Sequence, residues 1–454
     1  MSDSHVSGYP RVIDSASIVP LAEEQIIGAV HVGADELAVS SVIEPAASAP
    51  AAALVGRASR TGLILSVHSD LDPIDREWRA FEREAGGTAF QSFDWVARWQ
   101  QHIGARRGTV PVIVVGRSAG GRLLFILPLA IERRGPVREL CWLGSDLCDY
   151  NAPLLAERFH DHVGTDGFAP LWRDIVGLLR TSRRFRFDLI DLQKMPETIG
   201  RQMNPLLALP VVTNPSGAHI ATLGGEWEKF YAAKRSSATR KRERGKLKQL
   251  AEHGDIRFID AQDGVGIVRT MDVLIAQKAR SLARLGVENF LARPGYREFF
   301  LDLATDPRLR DLVHVGRMDV GAMLAAASFG LTFRGCYYLL LSSYHDGELA
   351  KFGPGRTHLH ELLRHAIGRG LDRFDFTIGD EAYKREWSDI ELKLYDYTAA
   401  ATMRGWPVVT LMLAFRRTKR FIKQTPPLWR VFSKARTLAG RLSDRLVHFT
   451  SGKR

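Results

Sequence analysis

Two segments of this chain, 200 residues apart, follow the same pattern. VGRSAGGRLL begins at Val115 and VGRMDVGAML begins at Val315. The identical positions are Gly116, Arg117, Gly121, Leu124, Arg134 and Gly135 in the first segment and Gly316, Arg317, Gly321, Leu324, Arg334 and Gly335 in the second. Glycine turns between apolar runs indicate β-hairpins. Two unrelated hairpins can share this turn chemistry, but the ungapped match favours a duplication.

A duplication predicts two copies of one α/β unit packed side by side. A chain of 454 residues is too long for one ordinary domain. We expect a first domain over residues 61–212 and a second over 213–403. Residues 1–60 end in the low-complexity piece Glu44–Arg60 and are expected to be disordered. Residues 404–454 form a separate basic tail.

The net charge of +12 belongs to that tail, which contains thirteen Lys or Arg and one acid, Asp444. A basic surface spread over the fold is therefore not implied, which argues against a nucleic-acid-binding protein.

The three cysteines form no CxxC motif and fit a reducing compartment. No signal peptide and no apolar run of membrane-spanning length is visible, so we expect a cytoplasmic protein.

A loop rich in Gly and Pro, Lys351–Arg356, follows a predicted strand and precedes a helix expected to begin near Thr357. The first turn of a helix has unpaired N–H groups and a positive dipole end, and glycines let a phosphate approach the backbone. The loop therefore predicts a phosphate site, although two solvated charges at an ordinary helix start give the same pattern. The three histidines of this helix form no HExxH motif, so we expect no metal site.

The segment from this loop to Trp387 resembles the C-terminal core of the GNAT superfamily. It is most similar to the CelD/BcsL-type acetyltransferases linked to bacterial cellulose and exopolysaccharide production, which are relatives of the FemABX aminoacyl ligases. The matching residues of this element are Phe374, Asp375, Phe376, Gly379, Glu381, Tyr383, Lys384 and Trp387. The segments beginning at Phe90 (FQSFDWVARW) and Leu143 (LGSDLCDYNAPL) also fit the family.

The resemblance implies two tandem GNAT-like domains, each with a mixed sheet flanked by helices, and acetyl-CoA as the acyl donor. The residues expected to hold the donor are Lys351, Phe352, Gly353, Gly355, Arg356 and Thr357. The candidate catalytic residues are Asp149, Tyr150, Asp380, Glu381, Tyr383 and Lys384. Simpler roles stay open: Asp149 can belong to an Asx turn, Asp380 and Glu381 can cap a helix, and Lys384 can be solvated.

Two basic segments indicate partners. The helix predicted within Lys234–Lys248 has eight Lys or Arg and can line an anion-binding cleft, bind nucleic acid or remain solvated; few aromatic residues interleave with these charges, which argues against nucleic acid. The tail over Trp406–Val447 mixes apolar and basic residues, with Trp429, Val431, Phe432 and Leu438 on one helical face. It can bind an anionic membrane surface, pack on the domain or stay disordered.

Three functions are compatible with these features. The first is an acyl-CoA-dependent N- or O-acyltransferase acting on a sugar or glycan intermediate of exopolysaccharide or cellulose synthesis. The second is a FemABX-type ligase that uses aminoacyl-tRNA. The third is a non-catalytic scaffold of a polysaccharide-synthesis complex at the inner membrane. The residues favour the first, and its acceptor follows from the resemblance alone.

Overall fold

A computed structural model describes residues 53–164, 167–379 and 381–424. The first half contains β1 (Ala53–Ala58), β2 (Ile64–His68), α1 (Asp75–Glu82), α2 (Phe93–Trp99), α3 (Ala105–Arg107), β3 (Val110–Arg117), β4 (Leu123–Arg134), β5 (Val137–Trp142), β6 (Leu154–Leu155), α4 (Phe159–Val163), α5 (Phe168–Thr181), β7 (Leu189–Pro196), β8 (Thr198–Ile199), β9 (Gln202–Met203) and β10 (Val212–Thr213). The second half contains β11 (Ala218–Thr222), α6 (Trp227–Lys234), α7 (Ser237–Ala251), β12 (Ile256–Asp260), α8 (Gly264–Arg284), α9 (Tyr296–Thr305), β13 (Val313–Val320), β14 (Met323–Phe333), β15 (Cys336–Tyr344), α10 (Pro354–Gly368), β16 (Arg373–Ile378), α11 (Ala382–Trp387), β17 (Ile390–Leu392), β18 (Leu394–Ala400) and α12 (Gly405–Gln424).

The strands form two large sheets. The first has the order β1-β2-β3-β4-β5-β7-β18-β10, with β6 beside β4, and the second has the order β12-β13-β14-β15-β16-β11-β17. Neighbours are antiparallel except for β5 with β7 and β15 with β16, which are parallel. The chain crosses over between the strands of each parallel pair through a helix, α5 or α10, as parallel strands require. The predicted α/β class, with two mixed sheets and flanking helices, is confirmed.

The repeated sequence pattern lies at equivalent turns of the two sheets. Gly121 ends the β3–β4 hairpin with φ 83°, and Gly321 ends the β13–β14 hairpin with φ 58°. The next turn in each sheet contains Gly135, with φ 57°, or Gly335, with φ 71°. These positive φ values explain why glycine is present at all four positions. Residues that are 200 positions apart in sequence thus occupy corresponding turns of two similar sheets.

One strand of the second half lies in the first sheet. The short strand β10 lies in the first sheet, and β11, which follows it directly, lies in the second. At the other end of the second half, β17 pairs with β11 in the second sheet, while β18 pairs with β7 in the first. The segment 213–403, predicted as the second domain, therefore supplies one strand to the first sheet.

Order begins earlier than expected from the composition. β1 lies inside the segment 1–60 that was predicted to be disordered, and it pairs with β2 from Ala53 opposite His68. The prediction is therefore wrong for residues 53–58, because an edge strand can form on β2 from small and apolar residues whose sequence looks like a linker. Residues 1–52 lie outside the described residues.

The halves also share a buried core. The Trp95 ring of α2 lies edge-on to Phe299 of α9, with 4.9 Å between ring centroids, and all three of Trp95, Phe299 and Phe300 are buried. Beside them the Arg98 guanidinium bridges Asp94 of its own helix, at 2.6 Å, and Asp306 of the other half. Burying each such aromatic side chain stabilises the packing by about 1.5–3 kcal/mol. The halves are therefore held together by core packing as well as by the pairing of β18 with β7.

Helix α12 packs on the first sheet through one face. Val409 is buried with Val137 and Leu189. Arg416 donates hydrogen bonds of 2.6 and 2.9 Å to the buried Asp191 carboxylate at the edge of β7. The expected basic tail therefore begins as a docked helix, while the tail residues 425–454, including the predicted apolar face from Trp429 to Leu438, lie outside the described residues.

Candidate functional site

The second sheet opens where β15 and β16 separate. Their parallel pairing runs from Cys336 opposite Arg373 to Tyr338 opposite Asp375. Beyond Tyr338, β15 continues for six residues to Tyr344, while β16 ends at Ile378. Strands that diverge leave backbone groups on their facing edges available to a ligand. The opening therefore gives access to the interior of the second half beside α10.

A cavity of about 470 Å³ lies at the mouth of this opening, between α7, the end of β15 and the start of α10. All six residues predicted to hold the donor line it: Lys351, Phe352, Gly353, Gly355, Arg356 and Thr357. The basic helix expected to line an anion-binding cleft supplies Glu243, Arg244 and Lys246 to the wall. Further lining residues that were not candidates for the donor site are Trp227, Tyr231, Arg284, His360 and Arg364. The structure thus brings the predicted loop together with the basic helix α7, from which Arg244 and Lys246 face the cavity.

The cavity has an excess of positive charge. Six basic and three acidic side chains line it. The acids are held by neighbours: Asp346 pairs with Arg284 at 3.2 Å, and Glu361 pairs with Arg364 at 2.6 Å. The buried Glu243 accepts a hydrogen bond of 2.5 Å from the Tyr231 hydroxyl. A cavity of this volume whose wall has a net positive charge suits an anionic ligand.

The start of α10 differs from the predicted row of bare amides. The helix begins at Pro354, three residues earlier than expected, because proline is well suited to a first helical position. The amides of Arg356 and Thr357 both donate to the Gly353 carbonyl, at 3.1 and 3.2 Å. That part of the prediction is therefore wrong. Phosphate binding here has to depend on the cationic side chains and on the Gly355 amide.

A small second cleft adjoins the cavity and is lined by residues of β15, α10 and α11. It has a volume of about 10 Å³, shares Tyr344 and Gly355 with the cavity wall, and reaches Leu339 and Tyr383. A Cβ atom at Gly355 would lie 3.0 Å from the Tyr344 ring. Glycine therefore keeps the passage between β15 and α10 open. Tyr383, one of the predicted catalytic residues, lies in the wall of this cleft.

A buried polar cluster lies at the point where β15 and β16 part. The Tyr150 hydroxyl donates a hydrogen bond of 2.7 Å to Asp375 Oδ1, and the Thr377 amide donates a second one of 2.7 Å to the same oxygen. Thr377 has φ 62°, an uncommon conformation for a β-branched residue. Asp149, next to Tyr150, interacts electrostatically with Lys384 and Lys194. The loop after β5 of the first half thus reaches into the second.

Lys384 and Glu381 complete the cluster from α11 and the turn before it. The fully buried Lys384 Nζ donates to the Ile378 carbonyl at 2.6 Å and lies 3.2 Å from Glu381 Oε2. The backbone of Gly379 passes so close that a Cβ there would lie 2.6 Å from Lys384 Nζ. Lys278 of α8 is also buried and interacts with Glu381 and Lys384.

Burial moves several pKa values in this cluster towards neutrality. Loss of hydration raises the pKa of Asp375 to about 7, against the opposing effect of the Tyr150 hydrogen bond. Burial lowers the pKa of Lys278 to about 7. It also raises the pKa of Asp149, and it raises that of Tyr383 well above its ordinary value. An acid and a base near neutrality beside a protonated phenol can exchange protons with a reacting group.

Of the six predicted catalytic residues, four lie in the cluster: Asp149, Tyr150, Glu381 and Lys384. Tyr383 lies in the cleft, and Asp380 lies outside the described residues. Asp375, Thr377 and Lys278 were not selected from the sequence. Asp375 had a signal, because it is a charge between two aromatic residues of a buried strand. Lys278 had one too, because it shares the apolar face of α8 with Met271, Leu274 and Leu282.

Comparison with known proteins finds a family similarity in the second half. Residues 237–385 match the family model described as acetyltransferase (GNAT) domain. Similar solved structures include FemX (10% identity, 70% of this chain and 95% of that chain, TM-score 0.48). Another is the C-terminal domain of a putative lysylphosphatidylglycerol synthetase from Agrobacterium fabrum, with 10% identity, coverage of 76% of this chain and 96% of that chain, and a TM-score of 0.46. A third is a conserved protein of unknown function from Bacteroides thetaiotaomicron, with 11% identity, coverage of 72% of this chain and 96% of that chain, and a TM-score of 0.45.

These structural likenesses are too weak to support an argument about function. A search of curated proteins found no match. The family match covers the segment from the start of α7 into α11 and includes the cavity-lining loop, Asp375 and Lys384. Residues 237–385 of this chain are therefore similar in sequence to acetyltransferase (GNAT) domains.

Proposed function

We propose that this protein transfers an acyl group, acetyl in the first instance, from acyl-CoA to an amine or hydroxyl group of a sugar-related acceptor. The observation that carries the proposal is the neighbouring position of two pockets. The cation-lined cavity at the Lys351–Arg356 loop shares Tyr344 and Gly355 with the small cleft that Tyr383 also lines. Coenzyme A has a matching order of parts: phosphates at one end, a narrow arm, and a thioester at the other end.

In this proposal the phosphates of the donor bind in the cavity. Lys351 and Arg356 supply charge from the loop and the first turn of α10, and Arg244 and Lys246 supply it from α7. The arm of the donor follows β15 past Gly355, where the absence of a side chain leaves room. The present cleft of about 10 Å³ has to widen for this, so β15 and α10 are expected to move apart when the donor binds.

The chemistry assigned to the site is acyl transfer. The acceptor nitrogen or oxygen attacks the thioester carbonyl carbon, a C–N or C–O bond forms, and the C–S bond breaks. We assign Asp375, with its pKa near 7, to take the acceptor proton, and the Tyr383 hydroxyl, which burial keeps protonated, to donate a hydrogen bond to the leaving thiolate. We assign the Lys384 ammonium to stabilise negative charge on the carbonyl oxygen.

Calorimetric titration of the full chain with acetyl-CoA tests the donor. We expect binding to the wild type and loss of binding in the double variant Lys351→Glu with Arg356→Glu. The matched control is Arg173→Glu, because Arg173 is exposed on α5 in the other half. Absence of binding to the wild type removes acyl-CoA as donor. If the double variant still binds acetyl-CoA, the phosphates of the donor bind at another place on the protein.

The acceptor rests on the sequence resemblance to CelD/BcsL-type acetyltransferases alone. Its test is release of free coenzyme A thiol from acetyl-CoA in the presence of amino sugars, compared with the same assay without sugar. No sugar-dependent release, with acetyl-CoA bound, overturns the sugar assignment but not the donor. Binding of aminoacyl-tRNA in place of acetyl-CoA supports the aminoacyl ligase alternative, and binding of neither supports a scaffold.

We also propose that α12 lies on an anionic membrane surface. While Val409 and Arg416 face the first sheet, Leu411 and Phe415 are exposed on the other side of the helix, and Trp406 is exposed near its start. Leu411 is 72% exposed. Arg404 and Arg417 flank this apolar face. None of the helices in the described ranges combines the length and apolar character needed to cross a bilayer. The arrangement matches a helix that binds at the interface of anionic lipids.

Sedimentation with vesicles tests this second proposal. The full chain is expected to bind vesicles that contain phosphatidylglycerol and to bind pure phosphatidylcholine much less. The double variant Leu411→Ser with Phe415→Ser should lose most of the binding, whereas Thr410→Ser, a change on the same exposed helix, should keep it. Equal sedimentation of all three proteins removes the assignment.

A further inference from the structure

A second cluster of ligating side chains lies away from the cavity, at the far end of α10. Asp260 at the end of β12, His314 near the start of β13 and His365 in the last turns of α10 each have one potential ligand atom here, and the three atoms lie within 4.8 Å of one another. His314 Nε2 lies 3.0 Å from Asp260 Oδ1, and His365 Nδ1 lies 3.4 Å from Asp260 Oδ2.

We propose that Asp260, His314 and His365 form a site for a divalent transition-metal ion of the zinc class. Ligands at about 2.0–2.1 Å from a tetrahedral zinc ion are roughly 3.4 Å apart, which is close to the separations seen here. Two imidazoles and one carboxylate are a donor set that zinc uses with a fourth position left for water. The site is partly open to solvent, since Asp260 is exposed, so an ion can enter and a water can complete the shell.

The surroundings of His314 support a ligand role. Its second ring nitrogen, Nδ1, lies 2.8 Å from the hydroxyl of the buried Tyr337. A hydrogen bond at that nitrogen fixes the ring and leaves Nε2, the nitrogen nearest Asp260, to bind an ion. Metal-binding histidines commonly have such an outer partner.

One adjustment is needed for binding. The rings of His314 and His365 are stacked, with centroids 4.2 Å apart and 20° between their planes, so both cannot point at one ion without turning apart. We expect the His365 ring to turn, because His314 is held by Tyr337. The bound ion then ties α10 to the edge formed by β12 and β13. This inference does not depend on the proposed acyltransferase activity.

The test uses the full chain, freed of metal by a chelator, with Zn²⁺ and Co²⁺ as probes. We expect one Zn²⁺ per chain, a rise in melting temperature, and a visible absorption band from tetrahedral Co²⁺. His365→Ala and Asp260→Asn should each weaken Zn²⁺ binding by more than about tenfold, and Tyr337→Phe by roughly 10–100-fold. His162→Ala, which changes an exposed histidine of the first half, is the control.

Absence of the Co²⁺ band and of one-to-one Zn²⁺ binding in the wild type overturns the proposal without any variant. Binding that persists in both His365→Ala and Asp260→Asn also overturns it. Melting curves without metal show whether each variant is folded. A variant that melts like the wild type without metal but gains no stability from Zn²⁺ supports the site.

Discussion

Tyr150 of the first half donates a hydrogen bond of 2.7 Å to Asp375 of the second, across 225 positions of sequence. Both residues are buried. Asp375 lies where the parallel pairing of β15 with β16 ends, and Asp191 lies at the equivalent end of the pairing of β5 with β7. The Asp191 carboxylate, in the first half, accepts a hydrogen bond from Arg416 of α12. The two similar sheets thus use the same position for different partners.

The Asp375 carboxyl makes folding stability depend on pH. Its pKa is raised to about 7 in the folded protein, so between about pH 4 and pH 7 the folded chain holds a proton that the unfolded chain has lost. This contribution to stability is therefore lost as the pH rises through that window. Asp375→Asn should show a shallower fall in the free energy of unfolding from pH 4.5 to 7, measured by urea denaturation.

The control for this comparison is the exposed Asp372→Asn at the start of the same strand. It should follow the wild-type pH profile, because Asp149 and the other buried acids are unchanged in both proteins. If the free energy of unfolding of Asp375→Asn differs from that of the wild type by the same amount at every pH, the assignment is contradicted.

Tyr150→Phe removes only the hydroxyl group. We expect it to lower the free energy of unfolding by about 1–3 kcal/mol, because it removes one hydrogen bond to a buried acceptor.

Gly355 is expected to control donor binding. Gly355→Ala places a methyl group 3.0 Å from the Tyr344 ring, which narrows the passage between the cavity and Tyr383. We expect acetyl-CoA affinity to fall at least about tenfold, which is about 1.4 kcal/mol, in a calorimetric titration.

Gly368→Ala in the same helix is the matched control, because a Cβ there meets nothing within 4 Å. It should bind acetyl-CoA like the wild type and gain up to about 1 kcal/mol of stability from helix propensity. If the two alanine variants bind equally well, the donor does not pass Gly355.

Arg416 is expected to hold α12 on the first sheet. Arg416→Met leaves Asp191 buried without its charged partner, and breaking such a pair typically costs about 3–5 kcal/mol. Chemical denaturation should show a loss of this size. The neighbouring Arg417→Met changes an exposed side chain and should stay within about 0.5 kcal/mol of the wild type. Similar stability of both variants means that Arg416 contributes no more than a surface pair.

Lys278 should give the opposite pH dependence to Asp375. Burial lowers its pKa from 10.5 to about 7, so between these values the unfolded chain binds a proton that the folded chain lacks. Stability therefore rises with pH in that window, by up to about 2 kcal/mol between pH 7 and pH 9. Lys278→Met should remove this rise and be more stable than the wild type at pH 7. Parallel profiles for the two proteins over this range refute the assignment.

The sequence predicted features that depend on local pattern. Hairpins with glycine turns at an offset of 200 residues, the basic helix α7 and the loop at Lys351–Arg356 could all be predicted, because turn chemistry and periodicity act over a few residues. The convergence of Asp149 and Lys384 was foreseen only as two separate candidate sites. Contacts of that range depend on how the halves pack, which no local pattern encodes.

The errors have local physical causes. The start of α10 was placed too late because a proline inside a glycine-rich run was taken as loop, although proline fits the first turn of a helix. The amide prediction failed with it, since the shifted start lets the Gly353 carbonyl accept from Arg356 and Thr357. The triad Asp260–His314–His365 was missed because its members lie on three elements, and only His365 was considered.

The position of β18 has a consequence for the order of events during synthesis. β18 (Leu394–Ala400) lies between β7 and β10 in the first sheet, so the first half leaves the ribosome with a gap in its sheet that cannot be filled until residues 394–400, about 180 positions after β10, have been translated. Until then the edges of β7 and β10 are unpaired. Nascent chains of this protein should therefore need protection from one another for most of translation, as unpaired strand edges readily associate.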